Sequence, residues 1–172
     1  MGIFVHELVR MRDFYVRVLG FVVTDEGDLG DRKLTFLSRN PDEHHQLVLC
    51  EGRPADIGFN TVNQISFRVA ELAELRTLHG IVSEEADVSE LTAITHGIAW
   101  SIYFKDPEGN RIEVFVDSPW YIEQPIREPI DLSKSDAELF AETETRAKAD
   151  PSFRPMSEWR QALARKIDSG LT

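Results

Sequence analysis

The segment VHELVRM at residues 5–11 recurs as VAELAEL at residues 69–75. In both copies an apolar, strand-like run leads directly into an amphipathic helix pattern. Each helix pattern ends on a glycine, Gly20 in the first copy and Gly80 in the second, and glycine is a common helix stop. Self-similarity of this kind predicts two copies of one supersecondary module.

Three strand-like runs follow each helix pattern, separated by turn-forming residues. They lie at residues 21–27, 32–39, 45–52, 81–88, 97–105 and 110–116. The order is therefore βαβββ twice, which predicts an α+β fold. We assign residues 1–55 to the first module and 60–117 to the second. Residues 118–172 form a C-terminal extension, and we expect one compact domain overall.

The composition excludes several classes of function. The chain has 172 residues, of which 42% are hydrophobic, enough for a packed core. Its 30 acidic residues against 19 basic ones give a net charge of −11, which argues against nucleic acid and against an anionic membrane surface. We expect neither a membrane-spanning segment nor a targeting leader. A single cysteine, Cys50, cannot build a disulfide framework, and we expect a cytoplasmic protein.

The stretch SIYFKDPEGNRIEVF at residues 101–115 predicts a hairpin whose second strand carries one carboxylate, Glu113, among apolar residues. Pairing that is symmetric about Glu108 places Tyr103 opposite Glu113, with Cβ atoms about 4.5–5.5 Å apart. One face of the strand QISFRV at residues 64–69 is polar as well. These polar faces either contact water or line a cavity that two curled sheets enclose.

Two segments carry a resemblance to a known family. MRDFYVRVLGF at residues 11–21 and THGIAWSIYFKDPEGNRIEVF at residues 95–115, within paired βαβββ modules, resemble the vicinal oxygen chelate superfamily. That superfamily includes glyoxalase I, fosfomycin and bleomycin resistance proteins and type I extradiol dioxygenases. The resemblance covers residues 1 to about 117, and DPEGNRIEVFVDSPWY with a polar helical tail looks most like single-domain relatives of biphenyldiol-type dioxygenases. It implies a curled mixed sheet around a cavity.

The resemblance also implies a divalent metal, most often Fe(II) or Mn(II), inside the cavity. Glu113 matches the family's ligand on the last strand of the second module. Gln64 stands at the ligand position of the first strand of that module, where the extradiol pattern has a histidine. The corresponding position of the first module falls immediately before Met1. A Glu113 that faces solvent or pairs with an arginine, and a protein without any cofactor, are the alternatives.

The remaining candidate residues surround this ligand position. The resemblance gives His96 an acid–base role and Tyr103 the role of hydrogen-bond donor to the substrate. A histidine that merely caps a strand end is an equal alternative for His96. Five further residues are expected to line the substrate pocket: Trp100, Ser66, Arg68, Phe115 and Trp120.

The extension contains two helix patterns, at residues 133–150 and 157–170, with Ser157 as the expected cap of the second. Their apolar stripes need a partner surface, so the tail helices either brace the domain or form the interface of a homodimer. The function favoured by the sequence is a metal-dependent, extradiol-type dioxygenase for a small catecholic or oxygenated aromatic. The alternatives are a metal-free binding or resistance protein and a non-oxidative lyase or isomerase.

Overall fold

A computed structural model describes residues 1–56 and 58–170. The first module contains β1 (Gly2–Val5), α1 (Leu8–Leu19), β2 (Val22–Leu29), β3 (Arg32–Ser38) and β4 (Leu47–Glu51). The second contains β5 (Ile65–Arg68), α2 (Leu72–Ser83), β6 (Ser89–Thr95), β7 (Ala99–Lys105) and β8 (Arg111–Asp117). The extension contains β9 (Trp120–Tyr121), β10 (Glu128–Pro129), α3 (Asp136–Lys148), β11 (Arg154–Pro155) and α4 (Met156–Asp168).

The element order confirms the predicted α+β fold with two βαβββ modules and a helical extension. One predicted strand, residues 81–88, is wrong. Helix α2 continues through Gly80 to Ser83, and the strand that follows it begins at Ser89. The helix continues because Leu75, Leu78 and Val82 keep a helical spacing and are all buried, and this packing outweighs the weak helix propensity of one glycine.

The strands in the described part of the chain form three sheets. The first has the order β1-β4-β3-β2, in which β1 runs parallel to β4 and the other pairs are antiparallel. The second has the order β10-β6-β7-β8-β5, and a short third sheet pairs β11 with β9. β8 therefore lies between β7 and β5, so the side chains on one face of these three strands are neighbours.

The chain divides into two compact units. The first unit comprises residues 1–65, 80–90 and 104–112, and the second comprises 66–79, 91–103 and the chain from 113 onward. In the first unit α1 packs on the first sheet through residues spaced three and four apart, which are all buried: Met11, Phe14, Tyr15 and Val18. Gly20 ends α1 in the left-handed conformation, as predicted.

The turn between β7 and β8 caps helix α1 within the first unit. Glu7, at the N-cap position of α1, makes no side-chain capping bond. The carboxylate of Glu108 instead accepts hydrogen bonds from the backbone N–H groups of His6 and Glu7, at 2.8 Å each for the shorter contacts. The Arg53 guanidinium lies 3.5 Å from the same carboxylate. A buried negative charge thus satisfies donors that the helix start leaves without intrahelical partners.

A second buried carboxylate holds the same turn closed. Asp106 accepts hydrogen bonds from the backbone N–H groups of Glu108 and Asn110, from the Asn110 amide and from the Tyr15 hydroxyl, the last at 3.0 Å. Burial raises the pKa of the Asp106 carboxyl above its usual value, and burial raises the pKa of the Tyr15 hydroxyl well above its own. Tyr15 therefore remains a hydrogen-bond donor at neutral pH.

The extension packs on the second unit. Ser135 and Glu138 form a capping box at the start of α3, and Trp100 of β7 donates from its indole N–H to Thr143 of that helix at 3.2 Å. Pro155 stands at the N-cap position of α4, so the expected cap, Ser157, lies inside the first turn instead. No helix in the described part of the chain combines the length and apolar character that crossing a bilayer requires.

We predict that Glu108→Gln lowers the free energy of unfolding by about 1–2 kcal/mol, because the amide turns one acceptor into a donor that faces backbone N–H groups. Guanidinium denaturation would measure the loss. Glu84→Gln, on the exposed end of the segment after α2, is the matched control and should change the stability little. Equal stabilities of the two variants would contradict this role of Glu108.

Gly97, which follows His96, has a φ of 76° and no room for a side chain, because a Cβ there would lie 2.2 Å from Cδ1 of the buried Ile122. Gly20 has a similar φ of 69° and open space around it. We expect Gly20→Ala to cost about 1–2 kcal/mol from backbone strain alone. Gly97→Ala should cost a further ~1–3 kcal/mol from overpacking. Equal midpoints of thermal denaturation for Gly20→Ala and Gly97→Ala would show that Ile122 moves aside freely, and would contradict the overpacking.

Candidate small-molecule site

Glu113 is buried, with 7% of its surface exposed, and its carboxylate accepts hydrogen bonds from three hydroxyl groups. Ser66 donates to Oε2 at 2.6 Å, and Ser101 and Tyr103 donate to Oε1 at 3.0 and 2.6 Å. A buried carboxylate is costly unless it is hydrogen-bonded in this way. The three donors therefore hold Glu113 in one orientation.

Strand alternation explains why the three donors meet. Ser101 and Tyr103 are two residues apart on β7, so they share one face of the strand. Ser66 lies on β5, the other neighbour of β8. The pairing of these two strands includes the hydrogen bond from the backbone N–H of Val69 to the Phe115 carbonyl at 2.9 Å. The contact between Tyr103 and Glu113 is the one that the predicted hairpin register requires.

His96 joins this cluster from the loop between β6 and β7. Its Nδ1 lies 2.6 Å from the carbonyl oxygen of Ile126, and its Nε2 lies 2.9 Å from the Tyr103 hydroxyl. The same Nε2 is 3.7 Å from Oε1 of Glu113. The structure thus places the two predicted catalytic residues and the predicted metal ligand Glu113 in one hydrogen-bonded chain, in the order His96, Tyr103, Glu113.

The Tyr103 hydroxyl is the middle member of this chain. A carbonyl oxygen can only accept, so Nδ1 of His96 carries a proton. Tyr103 donates its single hydroxyl proton to Glu113, and its oxygen lies within hydrogen-bond distance of Nε2 of His96. The Tyr103 hydroxyl thus links a ring nitrogen of His96 to the carboxylate of Glu113, which is the geometry that an acid–base relay requires.

A recess of about 270 Å³ opens beside this relay in the second unit. His96 and Glu113 contribute to its wall, and its apolar surface comes from Ile98, Ala99, Phe115, Met156 and Trp159. Three charged side chains complete the lining: Arg68, Asp117 and Arg160. The recess thus combines a mostly apolar wall with a few polar groups, which is typical of small-molecule sites.

The arginines of the recess share one carboxylate. Arg160 lies 2.7 Å from Oδ2 of Asp117, and Arg68 lies 3.6 Å from the same oxygen. The guanidinium of Arg68 also lies 5.3 Å from the centre of the Phe115 ring, a cation–π distance. Asp117 is thus the single carboxylate that faces both guanidinium groups.

Only some of the five predicted pocket residues lie at the recess. Arg68 and Phe115 line the recess, and Ser66 contacts Glu113. Trp100 and Trp120 instead pack against each other and against Phe140 of α3, with ring centres 4.7–6.2 Å apart. Trp100 is on the opposite face of β7 from Ser101 and Tyr103, so it belongs to the packing of the extension.

The residues present do not fit the divalent metal that the resemblance implies. Gln64, the second expected ligand, is half-buried just before β5. Both carboxylate oxygens of Glu113 already accept protein hydroxyls. Within residues 1–56 and 58–170, no group of three or more His, Cys, Asp or Glu side chains is arranged to hold a metal ion. Glu113 would have to exchange hydroxyl partners for the ion before it could act as a metal ligand.

Sequence reasoning missed six residues of the recess: Ile98, Ala99, Asp117, Met156, Trp159 and Arg160. Asp117 could have been found, because it follows Glu113 and Phe115 at a spacing of two on the same strand face. Trp159 and Arg160 lie on α4, more than forty residues farther along the chain, and no local signal connects them with β8. Their place depends on how the extension folds back onto the second unit.

Comparisons with known proteins agree with this fold. A family model of the glyoxalase/bleomycin resistance protein/dioxygenase superfamily matches residues 1–114. Biphenyl-2,3-diol 1,2-dioxygenase 2 of Rhodococcus globerulus is 27% identical over 112 residues, which is 63% of this chain and 56% of that enzyme. Biphenyl-2,3-diol 1,2-dioxygenase 3 of the same organism is 26% identical over 121 residues, 66% of this chain and 59% of that enzyme. The chain therefore spans less than two thirds of either relative.

Solved structures share the architecture at low sequence identity. A glyoxylase/bleomycin resistance protein/dioxygenase domain from Frankia sp. EAN1pec matches with a TM-score of 0.59 at 18% identity, covering 69% of this chain and 94% of that one. Fosfomycin resistance protein FosX from Mesorhizobium loti matches with a TM-score of 0.51 at 17% identity, covering 66% and 86%. With the family model matching well over half of its residues, this chain belongs to the glyoxalase/bleomycin resistance protein/dioxygenase superfamily.

Proposed function

We propose that this protein binds a small hydroxylated aromatic molecule in the recess beside Glu113, without a metal ion, and exchanges a proton with it. The observation that supports the proposal is the hydrogen-bonded chain from His96 through Tyr103 to Glu113, which we call the relay. A phenolic hydroxyl of the ligand, placed beside His96 and Glu113, would give its proton to this relay or receive one from it.

The walls of the recess support an aromatic ligand. Phe115 and Trp159 offer ring faces, and Ile98, Ala99 and Met156 add aliphatic surface. A volume of about 270 Å³ accommodates a single substituted ring better than a large polycyclic molecule. The polar groups His96 and Glu113 lie on the wall of the same recess, so a ring with a hydroxyl group satisfies both kinds of surface.

A ring-cleaving dioxygenase is the second candidate, and the similarity to the two biphenyl-2,3-diol dioxygenases favours it. That activity would require Fe(II) or Mn(II) with Glu113 as a ligand, and Glu113 would first have to give up hydroxyl partners. Oxygen uptake by Fe(II)-treated protein with 2,3-dihydroxybiphenyl tests this candidate. Oxygen uptake that is lost in the Glu113→Gln variant would show that the function is ring cleavage and not metal-free binding.

The assembly and location are also proposals. We propose a homodimer, supported by apolar side chains that α4 leaves exposed at Leu163 and Ile167. Light scattering on the purified protein tests it, and a monomeric mass would contradict it. We further propose a cytoplasmic location, supported by the single cysteine. Fractionation of cells that produce the protein would test the location.

We expect catechol to bind in calorimetric titration and its dimethyl ether, veratrole, to bind at least about tenfold more weakly, because only catechol can exchange protons with the relay. Tyr103→Phe interrupts the relay and should weaken catechol about fivefold or more. The matched control is Tyr121→Phe, which removes the same hydroxyl but keeps the ring that stacks on Trp159. Equal affinities for the two compounds would contradict the proposed role of the relay.

A further inference from the structure

The C-terminal extension supplies part of the recess, although the family match ends at residue 114. Met156, Trp159 and Arg160 of α4 line it together with residues of β5 and β8. Helix α4 is held in this position by specific contacts. The Trp159 ring stacks on the Tyr121 ring at a centre-to-centre distance of 5.3 Å and an interplanar angle of 13°. The Arg154 guanidinium lies 4.7 Å from the centre of the Tyr121 ring. The extension therefore forms part of the wall of the site.

The charge of this wall differs from that of the whole protein. The chain carries a net charge of −11, yet the two guanidinium groups of Arg68 and Arg160 face a single carboxylate, Asp117. Glu113, the other acid of the recess, is occupied with the hydroxyls of Ser66, Ser101 and Tyr103. The Arg68 and Arg160 side chains are 64% and 57% exposed, so both can reach a ligand.

We propose that the ligand is an aromatic carboxylic acid, with its carboxylate bound by Arg160 and Arg68 and its ring between Phe115 and Trp159. This inference rests on the proposed function, since it places the hydroxyl of the same ligand at His96. Guanidinium groups bind carboxylates through paired, charge-assisted hydrogen bonds, and a ligand carboxylate supplies the second negative charge that Asp117 alone does not provide. Arg160 is then a specificity-determining residue contributed by the extension.

Two probes that differ only in the carboxylate test the proposal. Calorimetric titration at pH 7 compares catechol with 2,3-dihydroxybenzoate. We expect 2,3-dihydroxybenzoate to bind about fivefold or more tightly than catechol. The ratio of the two dissociation constants should fall toward one in Arg160→Gln and in Arg68→Gln. Arg165→Gln is the matched control, because it removes the same charge from an exposed position on the same helix and should keep the preference.

The possible outcomes separate this inference from the proposed function. If both probes bind equally, the carboxylate site is wrong while the recess remains a binding site for hydroxylated rings. If the acid binds more tightly but Arg160→Gln keeps the full preference, the extension does not recognise the carboxylate and the inference fails. If neither probe binds, the proposed function itself is wrong. Circular dichroism verifies that the variants are folded, which is expected because both arginines are more than half exposed.

Discussion

The burial of the Glu113 carboxylate is the constraint on which the site depends. A carboxylate removed from water needs hydrogen bonds from its surroundings, and here three hydroxyls on the two neighbouring strands supply them. This requirement fixes which residues β5 and β7 present on that face. It also places the Tyr103 hydroxyl where it contacts His96, so one electrostatic demand positions the side chains and completes the hydrogen-bonded chain on which the proposed relay rests.

The repeat at residues 5–11 and 69–75 was enough to predict the module order, because the hydrophobic pattern sets each element locally. The prediction failed where tertiary packing decided the outcome. Gly80 looked like a helix stop, but the buried side chains on either side of it carry α2 onward to Ser83. The strand predicted at residues 81–88 therefore lies at Ser89–Thr95 instead. The sequence predicts α3 and α4 but not the surfaces on which they pack.

The inner part of the site was predictable for a related reason. Strand alternation and the hairpin turn together specify that Tyr103 faces Glu113, and the structure contains that hydrogen bond. The same rule, applied to β7, would have placed Trp100 on the opposite face from Tyr103. The outer part was not predictable, because Trp159 and Arg160 reach the recess only after the extension has folded back. Contacts between residues so distant in sequence leave no periodic signal.

The proposed function requires that Glu113 keeps its hydroxyl partners and does not bind a metal ion. Titration of the purified protein with Mn(II), followed by electron paramagnetic resonance of the free ion, tests it directly. The account predicts no stoichiometric binding at micromolar Mn(II) and no difference between the native protein and Glu113→Gln. One tightly bound Mn(II) per chain that disappears in Glu113→Gln would show that the carboxylate exchanges its hydroxyl partners for a metal, and would contradict the account.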